Sequence, residues 1–67
     1  MNEIIFLVNE SNEGGYEAQA LGHSIFTEAE NENDLKENIR EAVSCHFEEG
    51  SPKVIRLHFV REEIIAA

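Results

Sequence analysis

The chain has 67 residues, of which fourteen are acidic and five are basic, and its formal net charge is −9. This imbalance disfavours direct binding to nucleic acid, because that interaction depends on Lys and Arg side chains that displace counterions from phosphate. Residues 1–49 carry a net charge of −10 and residues 50–67 carry +1, so the charge favours a basic protein as partner, unless the acidity serves only solubility.

The length predicts one domain, residues 1–67, with a small core. Cys45 is the only cysteine, so no internal disulfide can form, and a single thiol fits a reducing cytoplasm. The start of the chain lacks the basic region of a signal peptide, and its longest apolar run, residues 4–8, is too short for a membrane span. Self-association is therefore the expected way to bury more surface.

Three strands are predicted in the first half of the chain. Residues 3–10 form the first strand, with Ile4, Phe6 and Val8 on one face and Ile5 and Leu7 on the other. Residues 11–15 form a turn with two glycines, and residues 16–21 return as the second strand of a hairpin. After a turn at residue 22, residues 24–28 form a short third strand.

Residues 31–47 predict a helix with Asn31 as its N-cap. Helical spacing places an apolar stripe on one side of this helix, formed by Leu35, Ile39, Ala42, Val43 and His46. The opposite, acidic face carries Glu37, Glu41, Ser44 and Glu48. A Gly-Ser-Pro sequence at 50–52 ends the helix.

The last strand is predicted at residues 53–61, where Ile55, Leu57 and Phe59 alternate with Arg56 and His58. The element order β-β-β-α-β predicts an α+β two-layer sandwich, with an antiparallel sheet and one helix on one of its faces. The other face of the sheet is then left to water or to another molecule.

An uncovered, partly apolar sheet face predicts homodimers or tetramers. The candidate self-association residues are Ile4, Phe6 and Val8, or else Ile5 and Leu7. Whichever set does not self-associate is expected to form the hydrophobic core.

Site chemistry is not indicated by the residue pattern, and neither a metal nor a cofactor is expected. His23, Cys45, His46 and His58 lack the spacing of metal ligands, and a buried His46 and a half-buried Cys45 are the simpler expectation. Cys45 lies within the helix and not at a helix N-terminus, where a cysteine thiol is activated, so catalysis by this thiol is not expected. Glu17 and Glu28 are the carboxylates best placed within strands, and they keep metal-dependent hydrolysis open as an alternative.

Segments 14–29, 33–43 and 52–61 resemble the N-terminal domain of the HicB-like antitoxin family. The resemblance rests on a Gly-Tyr pair at 15–16, a glycine crossing into the third strand, and a helix of the form acidic-Leu-x-x-Asn-Ile-x-x-Ala that begins at Asp34. The last segment looks like that of a short, stand-alone branch of the family.

The resemblance implies a β-β-β-α-β fold similar to part of a ribonuclease H core, and dimers or tetramers. It also implies binding to HicA, a small basic ribonuclease. Full HicB antitoxins carry a further DNA-binding segment, and none lies within these residues, so direct nucleic-acid binding is not expected.

We therefore expect a cytoplasmic, non-enzymatic protein-binding module that occludes a basic ribonuclease. Glu37, Glu41 and Glu48 are the candidate partner-binding residues, although an acidic helix face is commonly just solvated surface. The alternatives are a homo-oligomeric domain with a structural or ligand-binding role and no toxin partner, and an enzyme with a degraded ribonuclease H-like site at Glu17 and Glu28.

Overall fold

The computed structural model describes residues 2–11 and 13–67, so one residue of the predicted 11–15 turn lies outside the described residues. Its elements are β1 (Glu3–Glu10), β2 (Tyr16–Ala20), β3 (Phe26–Ala29), α1 (Glu32–His46) and β4 (Val54–Val60). This is the predicted β-β-β-α-β order, with one helix against one face of a four-stranded sheet, and the α+β class is confirmed.

The sheet is mixed, which corrects the expectation of an antiparallel sheet. Its strand order is β3-β2-β1-β4, with antiparallel pairs at β3-β2 and β2-β1 and a parallel pair at β1-β4. The direction follows from the connections: β1, β2 and β3 alternate in direction, and α1 then carries the chain back before β4 begins. β4 therefore runs with β1 and takes the free edge beside it, with Ile4 opposite Ile55 and Phe6 opposite Leu57.

The later strands are shorter than or displaced from their predicted bounds. The connection between β2 and β3 is closed by a hydrogen bond of 3.0 Å from the backbone N–H of Ala20 to the carbonyl oxygen of Ile25. Residues 21–25 form turn and irregular backbone, and β3 begins at Phe26 rather than at residue 24. Ile25 is buried at the end of this loop, whereas Phe26 points away from the core.

The core lies between α1 and the sheet. Three residues spaced by four along α1, namely Leu35, Ile39 and Val43, are buried, as a single helix face requires. They meet side chains of the sheet's inner face and of the β2–β3 loop, which are Ile4, Phe6, Val8, Ala18, Ala20 and Ile25. The helix packs on β2 and β3, and the two small alanines of β2 leave room for it.

Side-chain and backbone hydrogen bonds define both ends of α1. Asn31 is the N-cap: its Oδ1 accepts from the backbone N–H of Asp34 at 2.8 Å, and its Nδ2 donates to Asp34 Oδ2 at 3.1 Å. At the other end, the backbone N–H of Phe47 donates to the carbonyl of Val43 at 3.0 Å. Asn38 Nδ2 donates to the carbonyl of Glu28 at 3.1 Å and ties α1 to β3. Within the described ranges, no helix is long and apolar enough to cross a bilayer.

We expect Asn31→Ala to lower the free energy of unfolding by about 1 kcal/mol, because the N–H of Asp34 loses its acceptor. Urea denaturation followed by circular dichroism measures the change. Asn33→Ala is the matched control, since Asn33 is an exposed residue of the first turn and does not cap the helix. Equal losses in the two variants would contradict the capping role.

A close approach between the first turn and β3 requires a glycine at position 15. Gly14 and Gly15 both have positive φ, at 92° and 89°, but they differ in the space around them. A Cβ on Gly15 would lie 3.0 Å from the carbonyl oxygen of Ala29, whereas a Cβ on Gly14 would meet nothing within 4 Å.

Both Gly14→Ala and Gly15→Ala should destabilise the fold, because an L side chain at positive φ costs about 1–2 kcal/mol. Gly15→Ala should lower the free energy of unfolding by at least about 1 kcal/mol more than Gly14→Ala, because the backbone on both sides of the contact with Ala29 must also move. Thermal and urea unfolding of the two variants gives the difference directly. If the two variants lose the same stability, the contact with Ala29 is not tight.

Candidate protein-interaction surfaces

The structure separates the two sets of residues that were predicted as alternatives on β1. Ile4, Phe6 and Val8 are 2%, 0% and 0% exposed and lie in the core beneath α1. Their assignment as self-association residues is therefore corrected, because their side chains have no surface left to offer a partner. Ile5 and Leu7 are half-buried and point to the opposite face of the sheet.

The sheet face that points away from α1, called here the open sheet face, carries a mixed surface. Ile5 and Leu7 lie near its centre, and Phe26 is 60% exposed on β3. Around these lie three further exposed apolar side chains, Leu21, Val54 and Val60. Arg56 and His58 lie on this face between the two valines of β4 and alternate along the strand with Ile55, Leu57 and Phe59, as predicted. This face is the one on which the sequence argument for self-association rests.

Four carboxylates gather at one end of the β2–β3 pair and are called here the hairpin acidic cluster: Glu13, Glu17, Glu28 and Glu30. They line a depression of about 470 Å³ beside the first turn. Glu17 and Glu28 are directly opposite each other on adjacent strands, so their Cβ atoms are about 5 Å apart. Like charges in this position repel, and neither carboxylate takes part in an ion pair within residues 2–11 and 13–67.

The predicted partner-binding residues of the helix do not form one uniform surface. Glu37 and Glu41 are exposed on α1, but Glu37 forms an exposed ion pair with Arg40. Glu48 is exposed as well, but it follows the last residue of the helix and belongs to the connection to β4. The helix face therefore presents fewer free carboxylates than the sequence pattern predicts.

The histidines and the cysteine occupy positions that differ from the simplest expectation. The rings of His23, His46 and Phe47 pack edge to face, with centroids 4.9 to 5.8 Å apart. His46 is exposed rather than buried, and Cys45 is exposed rather than half-buried, because the buried stripe of α1 ends at Val43. In the part of the chain that the structure describes, no three His, Cys, Asp or Glu side chains lie close enough to hold a metal ion.

Two ionisable groups on the sheet have shifted pKa values. The hydrogen bond and the charge of Glu3, which pairs with Arg56 across β1 and β4, raise the pKa of the guanidinium. Partial burial raises the pKa of the Tyr16 phenol, and the charges of Glu10 and Glu32 raise it further. Both shifts preserve the charge state that these groups have at neutral pH, so neither group is poised to exchange protons.

Sequence reasoning did not identify a groove between α1 and β4, called here the helix–β4 groove. Its floor is formed by Ile39, Ile55 and Leu57, and Lys36 and Arg40 stand on its rim. The sequence does contain a sign of this groove. Lys36 and Arg40 are four residues apart, so they lie on the same side of the helix, next to Ile39 of the apolar stripe. What the sequence did not show is that β4 would lie beyond them.

Glu17→Lys should raise the free energy of unfolding by between about 0.2 and 1 kcal/mol, because it replaces a repulsive cross-strand pair with an attractive one. Urea denaturation at low salt and in 1 M NaCl tests this, since the gain should shrink when salt screens the pair. Glu49→Lys, in the exposed connection to β4, makes the same change in net charge and serves as the control. A gain in both variants would point to net charge rather than to the pair.

Comparison with known proteins shows close relatives in two organisms. A UPF0150 protein of Thermotoga maritima is 44% identical over 64 residues, which cover 96% of this chain and 91% of the relative. A UPF0150 protein of Archaeoglobus fulgidus is 58% identical over 52 residues, which cover 76% of this chain and 77% of the relative. No family model and no solved structure matches, and the HicB-like resemblance remains a prediction from the sequence. From these identities and their coverage, the chain belongs to the UPF0150 family.

Proposed function

We propose that this protein is an antitoxin-type module that binds a small basic ribonuclease of the HicA type and covers its RNA-binding surface. The support is electrostatic and geometric. A ribonuclease binds RNA through Lys and Arg side chains, and a surface that supplies carboxylates at a similar spacing competes for those side chains. The protein would then act by occupying the toxin rather than by a chemical step.

The observation that carries this proposal is the cross-strand pair Glu17 and Glu28 within the hairpin acidic cluster. Two carboxylates held side by side on a sheet raise the energy of the isolated protein. A guanidinium or ammonium group placed between them would be attracted to both and would remove their mutual repulsion. Because Glu13 and Glu30 line the same depression, the cluster can accept more than one basic side chain of the partner.

Four carboxylates around one depression favour the hairpin acidic cluster over α1, where Glu37 is already paired with Arg40, as the central contact. Glu17 and Glu28 lie on paired strands, and the turn beside them is held by hydrogen bonds of 2.9 Å and 3.1 Å between Ser11 and the two glycines. Rigid acceptors lose little conformational freedom on binding. In this scheme Glu37 and Glu41 contribute to the long-range attraction of the partner, which changes the rate of association and its dependence on salt.

A matched pair of double variants tests which carboxylates make the contact. Glu17→Gln with Glu28→Gln should weaken binding to the HicA-type ribonuclease of the same genome by at least about tenfold, since two charge-assisted contacts are lost. Glu37→Gln with Glu41→Gln makes the same change in net charge and should alter mainly the association rate. Surface plasmon resonance at two salt concentrations and an RNA cleavage assay give both readouts.

Three outcomes of these assays would contradict the proposal. One is a ribonuclease that stays active at saturating concentrations of the wild-type protein. Another is an equal loss of affinity in both double variants, which would mean that only bulk charge matters. The last is a divalent-dependent nuclease activity of this protein alone that disappears in Glu17→Gln or Glu28→Gln, which would favour the enzyme alternative.

A second candidate function is that of a homo-oligomeric domain without a toxin partner. It is favoured by the open sheet face, where Ile5, Leu7 and the exposed Phe26 form part of an apolar surface. This function predicts a stable assembly of the protein alone and no inhibition of a HicA-type ribonuclease. The cleavage assay therefore separates the two candidates.

A further inference from the structure

The helix–β4 groove is an apolar slot with a basic rim on a strongly acidic protein. The exposed part of its floor is formed by half-buried Ile55 and Leu57, beside the buried Ile39, and its volume is about 180 Å³. One water molecule takes about 30 Å³ of the liquid, so the groove is too large for a packing defect and can admit an apolar side chain. Lys36 and Arg40 on its rim are two of only five basic residues in the chain.

Residues 61–67, which follow β4 and are called here the 61–67 segment, have the complementary chemistry. Ile64 and Ile65 are 89% and 85% exposed, more than the 60% of Phe26 on the open sheet face. They directly follow Glu62 and Glu63. Two adjacent isoleucines held in water are unfavourable, so this segment gains from any apolar surface that it can reach.

The spacing of the segment fits the groove. In an extended chain, alternate residues share a side, so Glu62 and Ile64 face one way and Glu63 and Ile65 face the other. Each side thus presents a carboxylate about 7 Å from an isoleucine. Lys36 and Arg40 are one helical turn, about 6 Å, apart beside the apolar floor. Either side of the segment therefore carries one isoleucine for the apolar floor and one carboxylate for the basic rim.

The path of the segment leads away from its own groove. The molecule measures 50 × 20 × 17 Å, and β4 with the seven residues after it spans about 46 Å when extended, so the segment continues in the direction of β4. Glu62 and Glu63 line a depression with Glu10 of the same chain, whose charge opposes theirs, and Glu63 forms an exposed ion pair with Arg61 at 3.0 Å. The groove lies at the other end of β4, beside Ile55 and Leu57.

We propose that residues 62–67 of a second copy of this chain dock in the helix–β4 groove, and that the two copies exchange these segments reciprocally. Such an exchange gives a closed dimer with two identical contacts. Among the residues that the structure describes, no strand lies beyond the outer edge of β4, so its backbone can also hydrogen-bond the incoming segment as an added strand. The ion pair between Arg40 and Glu37 is exposed on both sides and does not block the rim.

A charge exchange between two variants tests the proposal on the protein alone, so its result does not depend on the proposed ribonuclease. Variant A carries Lys36→Glu and Arg40→Glu, and variant B carries Glu62→Lys and Glu63→Lys. Each variant by itself should dimerise at least about tenfold more weakly than the wild type, because groove and segment then have the same charge. An equal mixture of A and B should form a heterodimer, since both of its contacts pair opposite charges.

Sedimentation velocity across the micromolar range measures the association of the wild type, of each variant and of the mixture, and circular dichroism confirms that each variant is folded. Glu48→Lys with Glu49→Lys changes the net charge as variant B does, at a site outside the groove and the segment, and should leave the dimer intact.

A wild-type protein that stays monomeric at high micromolar concentration would overturn the proposal. So would dimers of A and of B as strong as the wild type, because the interface would then lie outside the groove and the segment. Loss of the dimer in A and B without recovery in the mixture would also overturn it.

Discussion

A single α-helix cannot cover one face of a four-stranded sheet, and the surfaces of this protein follow from that geometry. A helix is about 10 Å wide with its side chains, whereas the outer strands of a four-stranded sheet are about 14 Å apart between their axes. In this fold α1 packs on β2 and β3, over the two alanines of β2. The strand at the far edge, β4, therefore keeps half-buried Ile55 and Leu57 beside the helix rather than beneath it.

The same constraint decides where charge and apolar surface meet. The buried stripe of α1 faces the sheet, so Lys36 and Arg40 at its margin stand over the uncovered strip next to β4. At the opposite edge, the close turn at Gly15 brings the first loop against β3 and gathers carboxylates there. One edge of the sheet thus carries a basic rim over apolar residues, and the other carries concentrated negative charge. The two proposed partners, a second copy and a basic protein, are thus assigned to different surfaces.

Much of the secondary structure could be predicted from local patterns. The first strand and the helix match their predicted positions, because a run of β-forming residues and a capped stripe at 3.6-residue spacing are both local signals. The end of β2 and the start of β3 could not be predicted from local patterns, because they depend on the hydrogen bond between Ala20 and Ile25. The exposure of His46 likewise depends on where the sheet ends beneath the helix, which the helical pattern does not contain.

By itself the sequence determined the element order, the acidic surplus and the two-sided character of β1, since each is a property of residue identity and short-range periodicity. Only the tertiary structure decided which side of β1 is core, that β4 pairs in parallel with β1, and that Glu17 lies opposite Glu28. The helix–β4 groove also emerged only there. These features join residues distant in the chain, and their energies are set by which strands pair and which face the helix covers.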